Sequence, residues 1–253
     1  MKVTLLSYTP DALNLLLRTK NTRLGFDADP ATWPADKKQE HLDYMLDTIK
    51  SSWEFVDYTF QIEDVTRAFT HQLVRTRSGS YAQESQRTVD VRDHGVLIPA
   101  RVRENAEASA IWESACMMIM KSYQILVDDC GIPPQDARGL LPTNILTSIV
   151  AKFNLRTLSD MAKVRLCTRT QGEYQQVFRA MRAEVLLVHP WAEPFLQVQC
   201  VAIGTCAFPR YGRKECPVYD GLMERPELQR QTGKKFWSMR HEAVPVAREG
   251  KAS

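Results

Sequence analysis

The chain has 253 residues, of which 44% are hydrophobic and 25% charged, and its formal net charge is +3. This composition predicts one globular domain that can bury a sizeable core. The small net charge does not indicate nucleic-acid binding. No apolar run reaches the length of a membrane span, and the N-terminus lacks a signal-peptide pattern. The six cysteines include no CxxC pair, so we expect reduced thiols and a cytoplasmic location.

Hydrophobic periodicity predicts mixed helices and strands, an α/β fold. Asp64 is expected to cap a helix that carries Val65, Phe69 and Leu73. The expected strands are 1–8, 59–62 and 142–154, with strand and loop over 88–103. The other expected helices are 11–19, 35–50, 104–128, 135–141, 155–168 and 172–187, while 194–203 fits either element. We assign 1–220 to the domain and 221–253 to a polar, basic C-terminal extension.

The longest expected helix, 104–128, carries a broad apolar stripe that includes Ile111, Met118 and Ile125. An apolar stripe at this period is the ordinary pattern of a packed helix, and its width indicates burial on more than one side.

The segment 59–87 reads as a strand, a helix and then a polar loop. The loop follows Arg75 and Arg77, contains serines and amides, and ends in Arg87. The forked guanidinium donors of arginine, together with hydroxyl and loop N–H groups, can bind an anion such as phosphate. A solvated polar loop explains the composition equally well.

Arg165 lies on the apolar face of its expected helix, at helical spacing from Leu158, Met161 and Ala162. A buried cation needs a partner, because burying an unpaired charge costs several kcal/mol. That partner is either a ligand or a structural carboxylate, and a snorkelling side chain is a further alternative. The pattern alone does not decide among them.

The sequence contains no nucleophile elbow, P-loop or paired-glycine dinucleotide motif. Cys200, Cys206 and Cys216 follow His189, but their spacings match no zinc pattern, so no metal site is expected. The chemistry must then come from a bound cofactor that protein groups position.

Two blocks resemble flavin-dependent thymidylate synthases. The signature of that family is Arg-His-Arg, seven residues and Ser; here Arg75-Thr76-Arg77 is followed after seven residues by Ser85. The second block is similar in Arg138, Asn154-Leu155-Arg156, Arg165 and Gln171. The chain departs from the family pattern at five positions. Thr76, Ile49, Phe55 and Arg169 stand where the family has histidine, Asp160 stands where asparagine is common, and Ser51 is the nearest polar residue left to the segment with the lost histidines.

The resemblance implies a homotetramer that binds FAD between subunits. It implies methylation of dUMP, with methylenetetrahydrofolate as carbon donor and NADPH to reduce the flavin. Arg165 would be catalytic, stabilising negative charge on the uracil ring. The implied substrate residues are Gln72, Arg75, Gln83, Glu84, Ser85, Gln86, Arg87, Arg138 and Arg165. The implied cofactor residues are Ser51, Arg75, Thr76, Arg77, Gln83, Asn154, Arg156 and Asp160.

Three alternatives stay open. The first is a flavin- and folate-dependent pyrimidine nucleotide hydroxymethylase on the same scaffold, which the missing histidines keep open as a minority alternative, since one fold hosts several chemistries. A catalytically inactive nucleotide-binding homologue is the second alternative. The third, a nucleic-acid-binding module, is disfavoured by the low net charge.

Overall fold

A computed structural model describes residues 1–206 and 208–216 of the chain. The predicted extension, 221–253, lies outside the described residues. Among the residues described, no helix is long and apolar enough to cross a membrane.

One four-stranded antiparallel sheet organises the structure. Its spatial order is β1-β2-β4-β3, so β4 lies between two strands that are consecutive in the sequence. Buried and partly exposed side chains alternate along most of β2, as expected for a strand with one face on the core. The strands are β1 (Lys2–Tyr8), β2 (Asp57–Thr66), β3 (Ser80–Gln83) and β4 (Leu146–Asn154).

Helices cover the buried face of this sheet. Tyr58 and Phe60 of β2 and Phe153 of β4 pack with Phe178 and Met181 in one continuous core. The helices are α1 (Ala12–Leu24), α2 (Ala35–Leu46), α3 (Arg67–Leu73), α4 (Ala100–Arg103), α5 (Ala106–Asp128), α6 (Pro134–Ala137), α7 (Leu155–Arg165), α8 (Gly172–Val188), α9 (Gln199–Ile203) and α10 (Pro209–Glu215). Short 3-10 segments occupy Pro30–Thr32, Lys50–Phe55, Arg138–Leu140 and Pro190–Phe195.

The predicted N-cap at Asp64 is wrong. β2 continues past Ile62 through a bulge, where Asp64 takes a positive φ of 55°. Thr66 caps α3 instead, and its hydroxyl accepts a hydrogen bond from the Phe69 N–H at 3.0 Å. The bulge lets Val65 and Thr66, neighbours in the sequence, both be buried.

The predicted polar loop after Arg77 is also wrong in part, because residues 80–83 form β3 and pair with β4. In the segment 88–103, where a strand was predicted, the structure has an isolated β-bridge between Val96 and Ile145, and α4 follows it. Three further boundaries move. α2 ends at Leu46 because Lys50–Phe55 turns as a 3-10 segment, β4 begins at Leu146, and 194–203 contains α9 rather than a strand.

Helix α5 is not buried on several sides by the residues that the structure describes. Tyr123 is its only buried residue. The apolar side chains of Ile111, Met117, Met118 and Ile125 are 64%, 72%, 68% and 42% exposed. The broad stripe therefore faces outward from the described residues.

Candidate functional site

An open cleft of about 600 Å³ lies between the turn after α3, helix α7 and the 3-10 segment Lys50–Phe55. It brings the two family-like sequence blocks together. Its lining residues are Glu54, Thr76, Ser78, Asn154, Arg156, Thr157, Asp160, Met161, Val164 and Arg165. Of the implied site residues, the cleft contains Thr76, Asn154, Arg156, Asp160 and Arg165.

The first turn of α7 forms one wall of the cleft. Asn154 ends β4 and caps α7, and its side-chain Oδ1 accepts a hydrogen bond from the Thr157 N–H at 2.8 Å. The Thr157 hydroxyl donates to Ser78 Oγ at 3.0 Å, which ties α7 to the turn after α3. Arg156, on the outer side of the same turn, forms an ion pair with Glu54. Sequence reasoning missed Ser78, Thr157 and Glu54 as wall residues.

The opposite wall is the turn between α3 and β3, and Tyr81 holds it. The Tyr81 hydroxyl lies 2.6 Å from the Thr76 carbonyl oxygen and 3.0 Å from that of Leu73. Burial raises the pKa of Tyr81 to about 12, so this hydroxyl remains a donor at neutral pH. Gly79 lies against the same rings, and a Cβ there would be 2.5 Å from both Phe153 and the Tyr81 oxygen. Only glycine fits at this close approach.

Arg165, the last residue of α7, is half-buried at the inner end of the cleft. Its guanidinium carbon lies 4.2 Å from the centre of the buried Tyr174 ring. Within the part of the chain that the structure describes, no carboxylate forms an ion pair with Arg165. The salt-bridge alternative for this residue therefore has no support here, and its donors remain available to a ligand.

A second group of implied residues lies around the end of β3, outside the lining of the cleft. Gln83 Nε2 donates to Thr70 Oγ1 at 2.7 Å. Gln72 Nε2 donates to Gln171 Oε1 at 3.4 Å, and Arg87 Nη2 to Gln135 Oε1 at 3.5 Å. Gln86 and Ser85 are half-buried, and Arg138 is exposed. Ser51, Arg75 and Arg77 are exposed on the segments that carry Glu54 and Thr76.

Glu84 belongs to the framework of this second group. Its carboxylate accepts a hydrogen bond from the Ser148 N–H at 3.1 Å and lies 3.1 Å from His94 Nε2. Both carboxylate oxygens are thus engaged within the chain.

Sequence reasoning missed Arg67, a half-buried cation in the same group. Its Nη1 donates to the Glu84 carbonyl oxygen at 3.1 Å. Burial lowers the pKa of Arg67, and the neighbouring positive charge of Arg138 lowers it further. Two close cations make this region attractive to an anion. No sequence signal pointed to it, because Arg67 falls inside the helix expected after Asp64.

The cysteines and His189 do not assemble into a metal centre in the described part of the chain. No three His, Cys, Asp or Glu residues there are grouped so as to hold a metal ion. His189 Nδ1 instead lies 2.9 Å from the Tyr58 hydroxyl, and burial lowers the pKa of His189. The six cysteines are free.

A helix-and-sheet fold with an open, donor-lined cleft defines a protein built to hold an extended polar ligand. Residues 4–191 match the family described as "Thymidylate synthase complementing protein", and the chain belongs to this family.

Named relatives agree with that assignment. The flavin-dependent thymidylate synthase of Geobacter sulfurreducens is 36% identical over 192 residues, which cover 74% of this chain and 81% of the relative. That of Sulfurisphaera tokodaii is 32% identical over 207 residues, 79% of each chain. That of Nitratidesulfovibrio vulgaris is 32% identical over 236 residues, 86% of this chain and 95% of the relative. The family resemblance inferred from the two sequence blocks is confirmed.

The positions that lack the family histidines have distinct surroundings. Thr76 lines the cleft. Ile49 and Phe55 flank the 3-10 segment and are 64% and 57% exposed.

Proposed function

We propose that the protein is a flavin-dependent thymidylate synthase: an FAD enzyme that methylates dUMP to dTMP, with methylenetetrahydrofolate as carbon donor and NADPH as reductant. The observation that carries this proposal is the single cleft in which both family-like blocks meet, in a chain that belongs to the family.

The residues of the cleft fit a flavin. Its volume of about 600 Å³ lies in the usual range for cofactor pockets, and hydroxyl, amide and guanidinium groups line it. Thr76, Asn154 and Arg156 would hold the cofactor from two sides, with Ser51, Gln83 and Asp160 as further contacts. Arg75 and Arg77, on the same turn as Thr76, would supply charge for its pyrophosphate. When bound, the flavin supplies the redox chemistry that no side chain here provides.

Arg165 has the catalytic role. Attack on the uracil ring moves negative charge towards N3 and the ring oxygens, and a fixed guanidinium stabilises that charge. The Tyr174 ring orients Arg165 without neutralising it.

The cationic region around β3 would hold the nucleotide. Ser85, Arg87 and Arg138 would bind the phosphate, and the neighbouring cation of Arg67 strengthens the local positive field. The remaining nucleotide contacts are Gln72, Arg75, Gln83, Glu84 and Gln86, as the family resemblance implies. The carboxylate oxygens of Glu84 are engaged within the chain. Glu84 would therefore contribute through its backbone and through its hydrogen bond with Ser148 of β4.

The enzyme would work as a homotetramer in the cytoplasm. The exposed apolar stripe of α5 is the surface that needs partner chains. Exposed Ile49 and Phe55 beside the cleft fit a site that a second subunit completes. The free cysteines agree with a reducing compartment.

The decisive experiment is a product analysis. The purified protein is incubated with dUMP, methylenetetrahydrofolate, FAD and NADPH, and the nucleotides are separated and identified by mass. We expect dTMP, and omission of the folate or of NADPH should abolish it. A 5-hydroxymethyl nucleotide would assign the hydroxymethylase instead, and an unchanged substrate pool with saturable FAD binding would assign an inactive homologue.

A further inference from the structure

Two lysines share one carboxylate at the rim of the cleft. Lys163 Nζ lies 2.6 Å from Asp160 Oδ1, and Lys50 Nζ lies 3.7 Å from the same oxygen. Lys163 belongs to α7 and Lys50 begins the 3-10 segment, so the pair connects two walls of the cleft. Asp160 itself lines the cleft. Neither lysine was singled out by the sequence patterns.

Among the residues that the structure describes, no further carboxylate balances the positive charge of this pair. Asp160 offers one negative charge to two ammonium groups. The nearby carboxylate of Glu54 is engaged by Arg156. The centre of the Trp53 ring lies 5.0 Å from Lys50 Nζ, so this ring covers one side of the Lys50 ammonium group. Both lysines are about one-third exposed, at 30% and 32%, so solvent screens them only in part.

The two ammonium groups lie close together, because both approach the same oxygen of Asp160. Burial, together with the adjacent charge of Lys163, lowers the pKa of Lys50 to about 8. Partial burial opposes the charge of Lys163, yet the bond to Asp160 keeps its pKa raised. Two like charges this close favour a neutral Lys50 or an anion that binds both.

An ordinary surface ion pair does not account for this arrangement. Such pairs bring one cation to one carboxylate and contribute about 0–1 kcal/mol. Here a second cation is held close to the first, which opposes folding unless a ligand compensates. The same segment has lost the family histidines at Ile49 and Phe55, so Lys50 and Lys163 are the cations left beside Asp160.

We propose that Lys50 and Lys163, tethered by Asp160, form an oxyanion subsite that binds a phosphate group of a dinucleotide cofactor. Ammonium groups bind phosphate as mobile point charges with three donors each, which suits a flexible pyrophosphate chain. This inference rests on the proposed function for its occupant, whereas the anion site itself does not require turnover.

The test measures binding without catalysis. Lys50→Met and Lys163→Met keep the length of the aliphatic stem and remove one charge each. We expect each to weaken FAD binding, followed by flavin fluorescence, by about ten-fold, the effect of one charge-assisted hydrogen bond. Riboflavin, which has no phosphate, should bind these variants and the parent protein equally. Lys163→Arg, which retains a cation, should keep most of the FAD affinity.

Lys152→Met is the matched control, because Lys152 pairs with a single carboxylate, Asp57, at 2.9 Å on β4. It should leave FAD binding unchanged. If FAD binding stays normal in the Met variants but NADPH binding weakens, the subsite stands and its occupant is the NADPH phosphate. Unchanged affinity for both, or an equal loss of riboflavin and FAD, would overturn the subsite.

Inorganic pyrophosphate separates this inference from the proposed function. If the parent protein binds pyrophosphate by calorimetry and Lys163→Met does not, the subsite holds even when no dTMP forms. If the parent protein makes dTMP while pyrophosphate and FAD bind both Met variants normally, the proposed function holds and the subsite is rejected.

Discussion

Arg165 shows how a half-buried cation can stay available to a substrate. The cation–π contact with Tyr174 contributes about 0.5–2 kcal/mol and leaves the guanidinium charge uncompensated. A carboxylate partner in the same place would have taken the guanidinium donors and neutralised the charge. The chain thus positions the guanidinium with an aromatic face and leaves its edge free for hydrogen bonds.

The variant Arg165→Lys tests the catalytic role. Lysine keeps the charge but loses the planar fork that meets a ring edge at two points. We expect the variant to fold, to retain flavin and to lose about a hundred- to a thousand-fold in turnover with dUMP. Turnover and thermal melting should be measured on the same sample.

Arg179→Lys, on the exposed side of α8, is the control and should leave turnover unchanged. A structural arginine predicts the opposite pattern for Arg165→Lys: a lowered melting temperature with near-normal activity per folded molecule. That result would remove the catalytic assignment.

The roles of some residues can be predicted from the sequence, whereas the roles of others cannot. Arg165 is visible because helical spacing places it among apolar residues. The framework role of Glu84 is not visible, since its partner Ser148 is 64 positions away and strand pairing brings them together. The partnership of Lys50 with Lys163 is hidden for the same reason: it depends on how the 3-10 segment docks on α7.

At the scale of elements, the turn between α3 and β3 is the most constrained part of the site. Tyr81 bonds two of its carbonyl oxygens, and Gly79 lies where any side chain would clash. The sequence indicates a polar segment here but not β3. Ser80 and Ala82 are exposed, so no apolar alternation marks a strand, and β3 exists through its pairing with β4.

Gly79→Ala tests this constraint. The added methyl group would meet Phe153 and Tyr81 at 2.5 Å, so the turn must shift. We expect a loss of stability of about 1–3 kcal/mol, typical of overpacking, with weaker FAD binding because Thr76 and Ser78 move with the turn. Chemical denaturation and flavin titration measure the two effects.

Gly139→Ala is the control, because no atom lies within 4 Å of a Cβ built there. It should change neither quantity measurably. Normal stability and normal FAD affinity in Gly79→Ala would show that the turn is more adaptable than its packing indicates.

At the scale of the whole molecule, the most prominent feature is the exposed apolar stripe of helix α5. Its apolar period is plain in the sequence, but the sequence does not tell whether this chain or another chain covers the stripe. In the described part of the chain, Ile111, Met117 and Met118 remain more than 60% exposed, so no described segment covers them. An apolar patch of this kind marks an interface.

We expect light scattering at micromolar protein concentration to report a tetramer. Met118→Glu places a charge in the middle of the stripe and should shift the population to smaller species, with a parallel loss of FAD affinity. Lys38→Glu, at a partly exposed position of α2, should leave the tetramer intact. A monomer that binds FAD at full strength would contradict a site shared between subunits.

The strand order β1-β2-β4-β3 has a consequence for how this chain comes to its native state during synthesis. β2 emerges from the ribosome well before β4, yet β3 pairs only with β4, some 70 residues later in the chain. Pairings this distant in sequence form late, because the intervening loop must first be closed. We therefore expect the turn that carries Thr76 and Ser78 to reach its final shape after Asn154 and the start of α7 have docked. On this expectation, the two walls of the cleft form together, late in folding, and cofactor binding follows them.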